Sequence, residues 1–187
     1  MARTKQYNEQ EVIEKAMSLF WRNGYENTSV RMLEKEMGIN QFSIYASFGC
    51  KQGVFLESIK SYKAKLNIIF DKLHKGTDGV SDIKQFFYDS VNKPVEFGNN
   101  KGCLITNTYN EFAGLEDQLI NEQMVDFMNK LKEVFIQKLR MDPSKDEETI
   151  HQQANYLVLA KHGLAAASRV NTKKEIDDYI DLTFKNI

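Results

Sequence analysis

The sequence predicts an all-α protein, a three-helix unit at the amino end followed by a helical bundle. Three observations predict it. Apolar side chains recur at helical spacing along most of the 187 residues, and no stretch alternates apolar with polar as a half-buried strand does. Two prolines and ten glycines leave room for long uninterrupted helices. Several glycines fall just past an apolar-periodic run, where helices commonly end in left-handed backbone.

The first helix has a clear start. Asn8 is an N-cap, Glu11 completes a capping-box spacing, and Tyr7 with Val12 form a staple. Val12, Ile13, Ala16, Met17, Phe20 and Trp21 then follow the helical period until Gly24. Thr28 is the next N-cap, ahead of Val30, Leu33 and Met37, and Gly38 ends that helix. Only Ile39 and Asn40 separate it from a short helix over 41–47, which Gly49 breaks. A longer helix is expected over 51–73, then a loop over 74–80. Beyond it, Ser81 caps a segment ending at Pro94, Gly98 opens a polar loop, and residues 103–112 form a short apolar segment. Residues 115–140 read as a long amphipathic helix and 146–171 as an alanine-rich one. The last helix runs from Thr172 with Ile176, Tyr179, Ile180, Thr183 and Phe184 on its apolar side.

Hydrophobic residues make up 42% and charged residues 27%, an ordinary globular balance. A net charge of −1 speaks against a nucleic-acid partner for the chain as a whole, but the charge is uneven. Residues 1–65 carry ten basic and seven acidic side chains, which leaves the remainder at about −4. Cys50 and Cys103 are far apart, the first ten residues are polar rather than a secretory leader, and no apolar run approaches a membrane span. A reducing, cytoplasmic setting with free thiols is the expectation.

Residues 28–55, TSVRMLEKEMGINQFSIYASFGCKQGVF, carry the functional signal. Two short helices joined at a glycine form the unit that presents its second helix to the DNA major groove. Gly38 allows the sharp turn, and Val30, Leu33, Met37, Ile39 and Ile44 lock the helices together. Short side chains then project from the start of the second helix. These residues resemble the TetR family of repressors. The likeness rests on Gly24-Tyr25, Thr28-Ser29-Val30, Gly38-Ile39, Tyr45, Phe48 and Lys51, and it covers about residues 8–60. There are two departures: Glu34 stands where a small residue is common, and Phe42 where glycine or proline is common.

The resemblance implies a DNA-binding domain over 1–50, with helix 51–73 as the connection, and a ligand-sensing and dimerising domain over 51–187. It implies a regulator, repressing until a small-molecule effector releases it, that binds an inverted-repeat operator as a homodimer. Gln41, Phe42 and Ser43 are the candidates for base readout. Thr28, Ser29, Tyr45, Ser47 and Lys51 are the candidates for phosphate contact, with Lys51 also opening a helix. Phe42 either meets a thymine methyl or packs on the preceding helix, whereas Arg31 and Lys35 suit a solvated face as well as DNA. Leu157, Ala160, Leu164, Ala167, Ile176, Ile180 and Phe184 are the expected dimer interface, with Gly163 allowing close helix approach. Phe86, Cys103, Asn107, Tyr109, Phe112, Met124, Met128 and His162 are candidates for an effector pocket, a mixture that suits an ordinary core equally.

Two rival readings keep the fold. A thiol-based redox regulator would use Cys50, beside Lys51 ahead of a helix, or Cys103. An adaptor that has lost DNA binding would use only protein surfaces. An enzyme is disfavoured: a di-iron bundle needs two Glu-x-x-His motifs, and only Glu148 and His151 supply one. No metal, cofactor or catalytic group is expected.

Overall fold

The computed structural model describes residues 7–96, 102–113, 117–185 and 187, without the side chains of 93–96. The expectations attached to Gly98 and to a helix start at Leu115 lie outside the described residues. Helices are the only regular elements among them: α1 (Glu9–Asn23), α2 (Val30–Met37), α3 (Gln41–Phe48), α4 (Lys51–Lys75), α5 (Val80–Glu96), α6 (Leu104–Phe112), α7 (Gln118–Leu139), α8 (Glu147–Ala167) and α9 (Lys173–Thr183). The all-α expectation holds. The chain forms two compact units, residues 1–65 and 66–187, and the division falls inside α4 rather than at residue 50.

Capping chemistry explains most helix boundaries. Asn8 accepts from the amides of Gln10 and Glu11, while the Glu11 side chain pairs with Lys15. Gly24 and Gly38 return their amides to Phe20 and Glu34, and Gly38 is left-handed at φ 72°. Thr172 and Glu175 form a reciprocal capping box at α9. Two boundaries differ from expectation. Ser29, not Thr28, caps α2. Helix α5 begins at Val80 and runs past Pro94 to Glu96; the amide of Ser81 goes to the Asp78 carbonyl, so Ser81 lies inside that turn.

In the first unit Val12, Ala16, Leu33, Met37, Ile44, Val54 and Ile59 are fully enclosed. Phe20 meets Phe55 edge-on at 4.9 Å, and Trp21 meets Tyr62 at the same distance. In the second unit, Phe70 packs edge-on to Phe86 and Phe127, and Phe87 to Phe184. Lys138 on α7 is buried there, yet it donates to the carbonyls of His74 and Gly76 and pairs with Asp82 at 3.1 Å. A buried ammonium held by three acceptors ties the loop before α5 to α7.

Candidate nucleic-acid interface

The unit α1–α3 owes its geometry to a few local interactions. Gly38 turns the chain, Ile39 and Asn40 follow, and the Asn40 side chain caps α3 by accepting from the Ser43 amide. Ile44 is the one fully buried side chain of α3 and anchors it against the core. The first turn of α3 is thereby left facing solvent. Gln41 is exposed and Phe42 is 88% exposed, among the most exposed large apolar side chains described. That resolves the two readings of Phe42: it does not pack on the preceding helix. Ser43 is half-buried and Tyr45 is 40% exposed, so Tyr45 is not a core residue.

Two positioning contacts escape sequence reasoning. A Glu34 carboxylate oxygen on α2 accepts from the Gln41 amide at 2.5 Å, so α3 is capped from its neighbour as well as by Asn40. The Tyr7 hydroxyl reaches α3 at the Ser47 hydroxyl, 2.6 Å, and donates to the Ser43 carbonyl at 3.3 Å. Tyr7 was expected as a staple partner of Val12; its hydroxyl instead fastens α3.

The phosphate candidates divide. Ser29 is exposed, with its hydroxyl oxygen accepting from the Met32 amide. Lys51 places its ammonium 4.2 Å from the centre of the Tyr25 ring, a cation–π contact that holds it at the start of α4. Ser47 is half-buried and engaged by Tyr7. Thr28 is a correction. It is fully buried and donates to the Gly24 carbonyl at 2.7 Å, so its hydroxyl satisfies the end of α1 and has no surface to offer a phosphate. Arg31 and Lys35 are exposed.

The second unit requires a larger correction. Leu157, Leu164 and Ile180 are completely buried within the single chain, and Ala160 and Ile176 nearly so; Ala167 and Phe184 are half-buried. The five buried side chains form this chain's own core rather than a surface for a second copy. The outward face of α8 instead carries Tyr156, Leu159, Gly163 and Ala166, with Val170 just beyond its end, and α9 adds Leu182. Leu159 and Leu182 are 69% and 67% exposed. Gly163 does allow close approach, but to α9 of the same chain: a Cβ there would lie 3.2 Å from the Tyr179 hydroxyl, which donates to the Ala160 carbonyl.

Of the effector candidates, Phe86, Phe112 and Met124 are core, whereas Cys103, Asn107, Met128 and His162 are half-buried and Tyr109 is partly exposed. Tyr109, Met128 and His162 come together from α6, α7 and α8. His162 Nε2 lies 3.0 Å from the Met128 sulfur, and its ring centre is 5.3 Å from that of Tyr109. Burial, and then the charge of neighbouring Lys161, hold the His162 imidazolium below the usual histidine range. No group of three or more metal-ligating side chains occurs among the described residues, nor is any helix among them long and apolar enough to cross a membrane.

The fold and this interface define a class: an all-α protein with an amino-terminal helix-turn-helix whose second helix faces solvent. Residues 12–58 match the bacterial regulatory proteins of the tetR family. The uncharacterized HTH-type transcriptional regulator YezE of Bacillus subtilis is 30% identical over 109 residues, 58% of this chain and 56% of that protein. IcaR of Staphylococcus aureus, a negative transcriptional regulator of the biofilm operon icaADBC, is 27% identical over 104 residues, 55% of this chain and 56% of that one. The matches thus span little more than half the length of these relatives. Among solved structures, the TetR family regulator CifR superposes with a TM-score of 0.86 over 98% of this chain and 99% of that one, at 18% identity. The regulatory protein TetR of Rhodobacter sphaeroides gives 0.80 over 94% and 96%, at 15% identity. The amino-terminal residues 12–58 thus match the tetR-family regulatory segment, and the chain as a whole shares the fold of these solved structures.

Proposed function

We propose that this chain is a transcriptional repressor: a homodimer that holds an inverted-repeat operator through α3 and is released by a small-molecule effector. The observation that carries the reading is the exposure of Gln41 and Phe42 on a helix fixed from behind by Ile44, Glu34 and Tyr7. A rigidly held helix with bare leading side chains is what major-groove readout needs. Two relatives lend support. IcaR is by name a negative transcriptional regulator, and CifR was solved with 26bp double-strand operator DNA.

On this reading residues 1–50 bind DNA and 51–187 sense and dimerise, the protein works in the cytoplasm, and it catalyses nothing. Gln41 reads an adenine edge, Phe42 meets a thymine methyl, and Ser29, Tyr45 and Lys51 hold phosphates. One helix-turn-helix covers too little DNA for useful specificity, so a second copy supplies the other half-site about one helical turn away, roughly 34–36 Å. The outer face of α8 supports that pairing, because Tyr156, Leu159 and Val170 follow one another at helical spacing with apolar surface exposed, and Leu182 of α9 is exposed as well. Effector action follows linkage: a ligand held among Tyr109, Met128 and His162 that prefers the conformation with displaced α3 helices lowers DNA affinity by its differential binding.

The test is a selection of random duplexes by the full-length protein. The expected result is an inverted repeat whose binding weakens steeply with salt as counterions are released. Gln41→Ala should relax one base position in each half-site, a loss of about 1–3 kcal/mol of discrimination there. Enrichment of no motif, or affinity indifferent to salt, overturns the reading and favours the adaptor.

A further inference from the structure

We propose that Glu34 is a specificity-determining residue: its carboxylate is a fixed anion at the leading end of α3 that turns phosphate away and leaves that end to base edges. The inference rests on the DNA-binding function proposed above and concerns how sharply the operator is told from other DNA.

The start of a helix ordinarily welcomes an anion, because its first amides have no partner within the helix and its dipole is positive there. Helix α3 has eight residues and no charged side chain of its own. Left bare, its first turn would hold a phosphate of any duplex. Two of its first three amides are instead taken from within the chain: the Glu34 carboxylate accepts from the Gln41 amide at 2.5 Å, and the Asn40 side chain accepts from the Ser43 amide at 2.9 Å. Asn40 is neutral and only occupies a donor. Glu34 occupies a donor and adds a negative charge.

No neighbouring cation offsets that charge. In the same unit Glu11 pairs with Lys15, Glu14 with Lys65, Glu36 with Arg22 and Glu57 with Lys60. Glu34 has no such ion pair among the described residues, although exposed Arg31 and Lys35 stand on the same short helix. It is half-buried and tied to the Gln41 amide, so the carboxylate cannot swing into solvent without uncapping α3. This is also one of the two positions at which the sequence departs from the family it resembles.

The effect differs between classes of DNA. Binding to an arbitrary duplex is nearly all phosphate contact, whereas an operator adds contacts to base edges. Phosphates within the screening length, about 8 Å at physiological salt, feel the carboxylate. Base edges in the major groove carry no net charge, and a cytosine amino group even donates to a carboxylate. An anion at the leading end of α3 therefore weakens contacts that any duplex offers and spares those that only the operator offers. Discrimination improves through weaker binding to the wrong DNA, with no added contact to the right one. Phosphate contact is left to Ser29, Tyr45 and Lys51, away from that end.

The experiment titrates full-length protein with two fluorescent duplexes, the operator recovered by selection and a scrambled sequence of equal length and composition, over a series of potassium chloride concentrations. Glu34→Gln keeps an acceptor for the Gln41 amide and removes the charge. It should bind the scrambled duplex roughly two- to fivefold more tightly at about 0.1 M salt, with a steeper salt dependence. It should gain less on the operator, so that the ratio of the two affinities falls. Glu34→Ala removes cap and charge together, and should lose operator affinity while still gaining on the scrambled duplex. A helix merely loosened would lose both, so a gain on scrambled DNA is not what damage produces. Glu122→Gln, an equal change of charge at an exposed carboxylate on α7, is the comparison for net charge and should leave both affinities alone. Unchanged scrambled-duplex affinity in Glu34→Gln, an equal gain on both duplexes, or the same gain in Glu122→Gln overturns the inference. Parent protein that binds neither duplex overturns the repressor reading itself.

Discussion

Replacing Leu159 with alanine should weaken the proposed dimer by a calculable amount. Full burial of a leucine side chain contributes about 1.5–3 kcal/mol. Leu159 keeps 69% of its surface in the single chain, so roughly 1–2 kcal/mol of that remains to be gained on pairing. In a two-fold interface the residue occurs twice, so the substitution removes about 2–4 kcal/mol, a rise of roughly 30- to 1,000-fold in the dimer dissociation constant. Leu159→Glu should do more, because two carboxylates would then be desolvated on facing surfaces. Sedimentation equilibrium over a concentration series measures the constant directly. Ile68 on α4, 67% exposed but away from this strip in sequence and helix, is the control, and Ile68→Ala should leave the constant alone. If Leu159→Ala dimerises as tightly as the parent, or Ile68→Ala weakens it equally, the outer face of α8 is not the interface.

Three further outcomes follow from contacts already described. Glu34→Ala removes the carboxylate that caps Gln41, so operator affinity should fall by about 1 kcal/mol or more with the overall melting temperature little changed, read by titration with fluorescent duplex. Lys138→Met strands the Asp82 carboxylate and two carbonyls in a buried setting and should cost about 3–5 kcal/mol of stability, visible as a lowered midpoint in denaturant; an unchanged midpoint would mean the ammonium only offsets its own burial. Hydrogen bonds from their helix-start partners hold the carboxyls of Asp146 and Glu175 below their usual ranges, and the Arg140 hydrogen bond does the same for Glu147. A depressed folded-state value means these groups stabilise the fold above the ordinary carboxylate range and cease to do so as pH falls through the lower folded values. The melting temperature should therefore be flat from pH 7 to about 5 and drop steadily below about 4, and Asp146→Asn should flatten part of that drop.

How much of this could be read in advance depended on whether one residue or a relation between residues carried the information. Asn8, Gly24, Gly38 and Thr172 act within a turn of their own position, and the helices they bound lie where periodicity puts them. The exposed start of α3 was legible for the same reason: in QFSIYASF only Ile44 is placed to reach back to the core. Thr28 and Ser29 show the limit of local reasoning. Both are good capping types, and what decides between them is that Thr28's hydroxyl reaches the Gly24 carbonyl of the preceding helix. Glu34 and Tyr7 act across helices, through contacts that no spacing announces.

The uncovered side of α8 was missed for a different physical reason. A helix with one apolar stripe declares its buried side, but α8 is apolar on two sides. Leu157, Ala160 and Leu164 share one helical face, and Tyr156, Leu159, Gly163 and Ala166 share another at the same period, about a hundred degrees away. Periodicity alone fits either set to either role. Bulk does not discriminate, since each set includes leucine and alanine, and the glycine that suggested contact between copies is occupied by Tyr179 of the same chain. What separates the sets is burial in the folded chain: Leu157, Ala160 and Leu164 are enclosed, as are Ile176 and Ile180 of α9, while Tyr156, Leu159 and Ala166 keep an exposed surface. A helix that is apolar beyond the needs of its own core has a second surface to cover, and the two-sided apolarity of α8 is the sequence signal for the self-association proposed above. Which side does it can be told only after the chain has folded upon the other.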